Sequence, residues 1–343
     1  MTPPVFIGVD IGTTSTKAIV FSSTGAIKGM SSQGYPLQAP HPGWAEQDPA
    51  AIFTAVMESL RAAVEQAQIG ASEVGAIAFS AAMHSLIAMD AHDQPLTRSL
   101  TWADSRSIAQ SDRLKHDGGF ALYQRTGTPI HPMSPLVKLL WLRQQDLETF
   151  QTAAKFISIK EYVLFQLLGQ YVVDYSIASA TGLFNLRCFT WDEAALALAG
   201  IRAEQLSQLV PTTHILRGMK ADYAEAIGLH VDTPIVVGAS DGVLANLGVG
   251  AIDADQVAIT IGTSAAVRQV VTAPLTDPQG RTFCYAWTEN QWVIGGASNS
   301  GGVVLRWFRD CFGQAAIEQA TQQGLDAYDL LIEQAEPISA GSA

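Results

Sequence analysis

One short pattern occurs twice in this chain of 343 residues: an apolar strand ending in Ile-Gly-Thr, a small polar turn, then a second apolar strand. The first copy reads Val9-Asp10-Ile11-Gly12-Thr13-Thr14-Ser15 and the second Ile259-Thr260-Ile261-Gly262-Thr263-Ser264-Ala265. If each copy opens one version of the same domain, the chain holds two related domains, which suits its length at roughly 150 residues per domain. The division is expected between a first domain, 1–233, and the beginning of a second, 234–343. A complete second copy needs on the order of another 100 residues beyond Ala343, so the chain is expected to stop inside its second domain.

Composition supports a folded protein. Hydrophobic residues make up 48% and charged residues 15%, against about 25% charged in an average soluble protein. The net charge is −12 and no basic block occurs, so nucleic acid and an anionic membrane face are both expected to be repelled. The three cysteines, Cys188, Cys284 and Cys311, are far apart and form no CxxC. They read as reduced, buried thiols of a cytoplasmic protein. The N-terminus has no basic region with a cleavage pattern, and no apolar run reaches the 18 or so residues of a membrane helix.

Along the chain, residues 5–10, 17–21 and 26–31 read as a three-stranded antiparallel meander punctuated by Gly and Ser turns. Asp48-Pro49 is a helix start, with an acidic cap and proline at the first helical position, and 50–67 carries the three-and-four apolar spacing. Residues 74–80 read as a strand with 86–89 as its partner. The stretch 104–168 is mostly helical, including 135–147 and 159–168. A buried strand at 234–238 ends at Ala239-Ser240-Asp241-Gly242, and a helix follows over 243–250.

A glycine turn between two strands presents successive backbone N–H groups to an anion. Gly12-Thr13-Thr14 and Gly262-Thr263-Ser264 each add hydroxyl donors, and facing each other across a cleft they could grip a polyphosphate from both sides. Neither is a Walker loop or a dinucleotide fingerprint. Either turn alone is equally readable as an ordinary hairpin apex. Asp10 beside a phosphate makes sense with Mg²⁺ between them, or as a carboxylate bonded to its own turn. Phosphoryl transfer needs little more than positioning, charge neutralisation and one proton acceptor, and Asp241, at the tip of a buried strand, is the candidate base or a simple helix cap.

Six segments in order resemble the motifs of the FGGY carbohydrate kinases: Gly8 to Lys17, Gly43-Trp44-Ala45-Glu46-Gln47-Asp48-Pro49, Ala82-Met83-His84-Ser85, Trp102-Ala103-Asp104-Ser105-Arg106, Gly238 to Gly242, and Thr260 to Ser264. Ser158-Ile159-Lys160-Glu161-Tyr162 and the run from Val173 to Gly182 add a resemblance to members acting on gluconate. The resemblance implies an α/β, two-domain, actin-like fold of the ribonuclease H type, with MgATP and sugar meeting between the domains. It implies Asp10 and Asp241 near Mg²⁺, and Gly12, Thr13, Thr14, Gly262 and Thr263 on the phosphates, with Ser264 in the second turn; Lys17, on the returning strand beside the first turn, is either a phosphate contact or a solvent-facing lysine. Asp241 becomes the base.

The same resemblance draws the sugar pocket from Met83, His84, Trp102, Asp104 and Asp241, to which Arg106, Lys160 and Gly242 are added as candidates. A gluconate carboxylate needs local donors, for which Arg106, Lys160 and His84 stand as candidates. Lys138 and Trp141 read as structural, the lysine exposed and the tryptophan packed. The implied activity is ATP-dependent phosphorylation of the terminal hydroxyl of D-gluconate to 6-phosphogluconate, with a homodimer as the candidate assembly. A xylulose-type or polyol kinase, a filament or chaperone ATPase, and a non-catalytic sugar-binding fragment are the alternatives. A later Gly-Gly adenosine segment is missing before Ala343.

Overall fold

The computed structural model describes residues 4–262, 264–298, 300–339 and 341. They fall into two compact units, Met1–Gln256 with Gln269–Ile294, and Val257–Arg268 with Gly295–Ala343.

The first unit is built on a six-stranded mixed sheet. Its meander is β1 (Val5–Ile11), β2 (Ser15–Phe21) and β3 (Ile27–Gly34), followed by the short β4 (Glu46–Gln47) and the helix α1 (Pro49–Ala67). Next come β5 (Val74–Ala81), β6 (Ile87–Met89), β7 (Ser99–Leu100) and β8 (Lys155–Ile157). The sheet order is Ile215–Leu216, Ile235–Ser240, β5, β1, β2, β3. The meander pairs antiparallel, whereas β5 runs parallel to both β1 and Ile235–Ser240.

Alternation in β1 decides the two faces of the sheet. Val5, Ile7, Val9 and Ile11 are buried, while Gly8 and Asp10 face the other way. The buried face takes α1 through Ile52, Val56, Leu60 and Val64, spaced four apart on one helix face, each worth about 1.5–3 kcal/mol when fully buried. Asp48 caps this helix by accepting from the Ala50 N–H, with Pro49 at the first helical position, as the sequence expects. On the opposite face a cavity of about 440 Å³ is lined by Asp10, Lys17, Ile19, Leu244, Leu247 and Trp287, among others.

Three expectations change. The 233/234 division falls inside the first unit, because Ile235–Ser240 is a strand of its main sheet; Asp241 therefore belongs with the first phosphate turn. β6 pairs with β8 and not with β5. Of the three thiols only Cys284 is buried, Cys188 and Cys311 being exposed.

Gly238 explains how the strand before Asp241 is shaped. Its φ is +69°, and a Cβ there would lie 1.9 Å from the Phe79 carbonyl oxygen. The register against β5 slips between Val236 and Ala239, the mark of a bulge that only glycine can make at this closeness.

In the second unit the strand Val257–Ile261 leads into Gly262, and the helix Gly302–Phe312 starts on that turn. The Gly302 N–H donates to the Gly262 carbonyl at 2.6 Å. A Cβ on Gly301 would sit 2.6 Å from the Ser264 carbonyl oxygen, so the helix approaches the turn along bare backbone. Thr263 lies outside the described residues.

Candidate active site

Three parallel strands end at one edge of the main sheet. Ile11 lies beside Ala81, and Ala81 beside Ser240. The segments that leave these ends are Gly12–Thr14, Ala82–His84 and Asp241–Gly242, which places the phosphate turn, part of the proposed sugar pocket and the proposed base at one edge. Such edges collect ligands in open α/β sheets because the connections diverge there.

The phosphate turn is held from behind. The Gly12 carbonyl accepts from the Tyr35 hydroxyl at 2.6 Å, the Thr13 carbonyl from Gln47 Nε2 at 2.6 Å, and the Thr14 carbonyl from the Tyr35 N–H at 3.2 Å. Gly12 N–H closes the turn onto the Ser15 carbonyl at 3.0 Å. The N–H groups of Thr13 and Thr14 meet no protein acceptor among the described residues. Thr13 Oγ1 accepts from Trp102 Nε1 at 2.8 Å, so its own hydroxyl proton is free to point elsewhere. The result is a turn whose acceptors are occupied and whose donors are available, as an anion requires.

Gln47 and Trp102 owe their positions to a buried clip. The Arg106 guanidinium sits 3.6 Å from the Trp44 ring centroid and 5.1 Å from that of Trp141. It donates to Asp104 Oδ1 and Oδ2 at 2.9 and 2.7 Å and to Glu46 Oε1 at 2.5 Å, with 4% of its side chain exposed. Asp104 also accepts from the Ala45 N–H at 2.7 Å, and β4 pairs with β7. Arg106 and Asp104 are thereby committed to each other and to the strand bearing Gln47. Neither is positioned to meet a substrate, which corrects their expected place in the sugar pocket.

Lys160 is committed as well. It bonds Asp174 at 2.7 Å in a pair whose side chains are 2% and 0% exposed, and it donates to the Ala239 carbonyl at 3.2 Å. Asp174 in turn accepts from Ser176 Oγ, which accepts from the Ser240 N–H at 2.7 Å. This network grips the two residues before Asp241, so Lys160 supports the strand tip and does not offer a donor to a ligand.

His84 is 7% exposed and sits at φ +66°. Burial, then the charge of Lys138, pushes its imidazolium down to about 3, so the ring is neutral. Nδ1 lies 2.8 Å from the Ala180 carbonyl, which can only accept, and therefore carries the proton. Nε2, 3.4 Å from the Tyr285 hydroxyl, is left as an acceptor. Such a ring recognises a hydroxyl and not a carboxylate, against the expectation that His84 is a carboxylate donor.

The sign of the shift predicts an acid effect. The folded value lies below the ordinary 6.5, so the unfolded chain binds this proton more readily. The stability tied to neutral His84 is complete above about pH 6.5 and lost as pH falls toward 3. Urea unfolding between pH 8 and 4 should show wild-type stability falling more steeply than that of His84→Asn, since asparagine tolerates positive φ and has no proton to take up. Parallel curves would refute the assignment.

Asp10 is exposed and accepts from Ser80 Oγ at 2.9 Å, with Lys17 opposite it in the ladder and also exposed. Asp241 is exposed, and its Oδ1 accepts from the Gly242 N–H at 2.6 Å. The helix cap is Ser240, whose hydroxyl accepts from Val243 N–H, so capping does not occupy Asp241. Met83 is half-buried, and Trp102 is 39% exposed. Gly262 and Ser264 belong to the second unit.

Two contributors escape sequence reasoning. Gln47 sits inside a quoted motif without a role, and Tyr35 carries no pattern at all. Lys138, expected on the surface, is fully buried.

Residues 5–248 match the N-terminal domain of the FGGY family of carbohydrate kinases. The chain belongs to that family. It is 49% identical to the gluconokinase of Bacillus subtilis (strain 168) over 98% of its own length, and spans 65% of that relative. Among solved structures it resembles the gluconate kinase of Lactobacillus acidophilus at 40% identity and TM-score 0.87, covering 89% of this chain and 62% of that one. It also resembles the ligand-bound xylulose kinase of Lactobacillus acidophilus at 38% identity and TM-score 0.91, covering 98% and 66%. The FGGY chain thus has the actin-like α/β fold that its motifs imply, and it spans about two thirds of the length of its relatives.

Proposed function

We propose that this FGGY chain provides the acceptor and phosphate-binding parts of an ATP-dependent kinase that phosphorylates the terminal hydroxyl of D-gluconate to give 6-phosphogluconate. The observation that carries the reading is the meeting of Gly12–Thr14, Met83-His84 and Asp241 at one sheet edge; the gluconokinase relative supplies the substrate. In this reading the Thr13 and Thr14 N–H groups and the Thr13 hydroxyl bind phosphate oxygens. Lys17 adds a positive charge beside them. His84 Nε2 accepts from a sugar hydroxyl that takes the place of the Tyr285 hydroxyl, 3.4 Å away, and Met83 and the Trp102 ring pack on sugar carbons. Asp241 takes the proton of the attacking hydroxyl. Gly262, Thr263 and Ser264 hold phosphate in the same proposal.

Mg²⁺, brought in with the nucleotide, neutralises phosphate charge. Such an ion keeps several waters and takes one or two carboxylates. Asp10, with Asp241 at the same edge, is the residue that would hold it.

A second reading follows from the commitments of Arg106, Lys160 and His84, which leave none of the three expected donors for a carboxylate. An uncharged ketopentose of the xylulose type fits a hydroxyl-accepting His84 equally well. Coupled assays with gluconate, xylulose, ribulose and glycerol in competition separate the two. The expected result is the highest kcat/KM for gluconate, and preference for xylulose overturns the first reading. No helix among the described residues is long and apolar enough to cross a membrane, and a cytoplasmic, dimeric enzyme remains part of the proposal.

A further inference from the structure

Lys138 is a fully buried lysine that the reading above does not use. It sits on the helix Pro135–Gln145, and its Nζ donates to the carbonyls of His84 at 2.6 Å, Thr101 at 2.6 Å and Leu100 at 3.3 Å. Two of these acceptors carry special weight. His84 is held at φ +66°, an uncommon conformation for a residue with a side chain, and its carbonyl direction is set by the lysine. Thr101 directly precedes Trp102, whose indole N–H reaches Thr13.

We propose that Lys138 is a positioning residue for the acceptor sugar, fixing the loop that carries Met83 and His84 against the loop that carries Trp102. The two segments are bridged at their base by the reciprocal Leu86 and Leu100 backbone bonds at 3.0 and 2.9 Å; the lysine is the link beyond that bridge, at His84 and Thr101, where the segments bear the walls of the proposed pocket. The role survives a change of charge: burial pushes the ammonium down to about 7, yet a neutral amine still has two N–H groups for the two short contacts. The lysine itself touches no substrate and acts through His84 and Trp102. This inference rests on the sugar-kinase reading.

The test is calorimetric titration of the wild-type chain, Lys138→Met and Lys138→Gln with gluconate and with xylulose, alongside circular dichroism. A merely structural lysine lowers the folded fraction, read as stoichiometry, and leaves the affinity of the folded molecules unchanged. A positioning lysine raises Kd at constant stoichiometry, by about 10- to 100-fold for Lys138→Met given the worth of charge-assisted hydrogen bonds, with partial recovery in Lys138→Gln, which keeps two donors. Wild-type affinity in either folded variant overturns the inference alone. Failure of both variants to fold overturns it in favour of a structural lysine. Binding of neither sugar by the wild-type chain overturns the functional reading and this inference with it.

Discussion

If the proposed function holds, Asp241→Asn should lower kcat for gluconate phosphorylation by about 10² to 10⁴, the usual worth of a general base, while leaving gluconate affinity and thermal stability close to wild type. The structure separates these readouts. Asp241 is exposed and the cap of its helix is Ser240, so helix integrity does not depend on the carboxylate. An amide oxygen can still accept from the Gly242 N–H that now bonds Oδ1. What asparagine cannot do is take a proton at neutral pH. Steady-state kinetics with the nucleotide saturating, beside calorimetric titration with gluconate, gives the comparison, and turnover at the wild-type rate would remove Asp241 from the chemistry.

Arg106→Met should destabilise the fold by about 3–5 kcal/mol, the scale for leaving buried charge without its partner. Asp104 has 0% of its side chain exposed and Glu46 11%, and both lose their cation together with the packing between Trp44 and Trp141. If Arg106 were a ligand for the gluconate carboxylate, the same change would raise KM and spare the fold. Urea unfolding decides between these outcomes. Adding Asp104→Asn and Glu46→Gln to Arg106→Met should restore part of the loss, because the uncompensated charges are then gone.

These two residues show what was legible beforehand. Asp241 follows an apolar run that can hardly be anything except a buried strand, and the β1 turn is announced by alternating apolar residues on each side of Gly-Thr-Thr. The start of α1 is written in Asp48-Pro49. The buried pairs of Arg106 and Lys160 are not legible, because a basic side chain in a motif does not disclose where its carboxylate comes from. Glu46 arrives from 60 residues away and Asp174 from 14. Lys138 belongs to a helix that buries Pro135, Leu136, Val137, Leu139, Leu140 and Leu142 as well, so no polar stripe marks which face the lysine takes. The pairing of β6 with β8 joins strands of three residues each, too short to carry a period of their own.

The Trp102 side chain has two ends with different tasks. Its nitrogen holds Thr13 of the Gly12–Thr14 turn, and its ring is part open to solvent, on the side the proposed function gives to the acceptor. Thermodynamic reciprocity then applies: whatever tilts the indole on one side changes the free energy of occupancy on the other by the same factor in both directions. On the proposed reading nucleotide and acceptor would not be independent guests, because a single bicyclic lever would report each to the other.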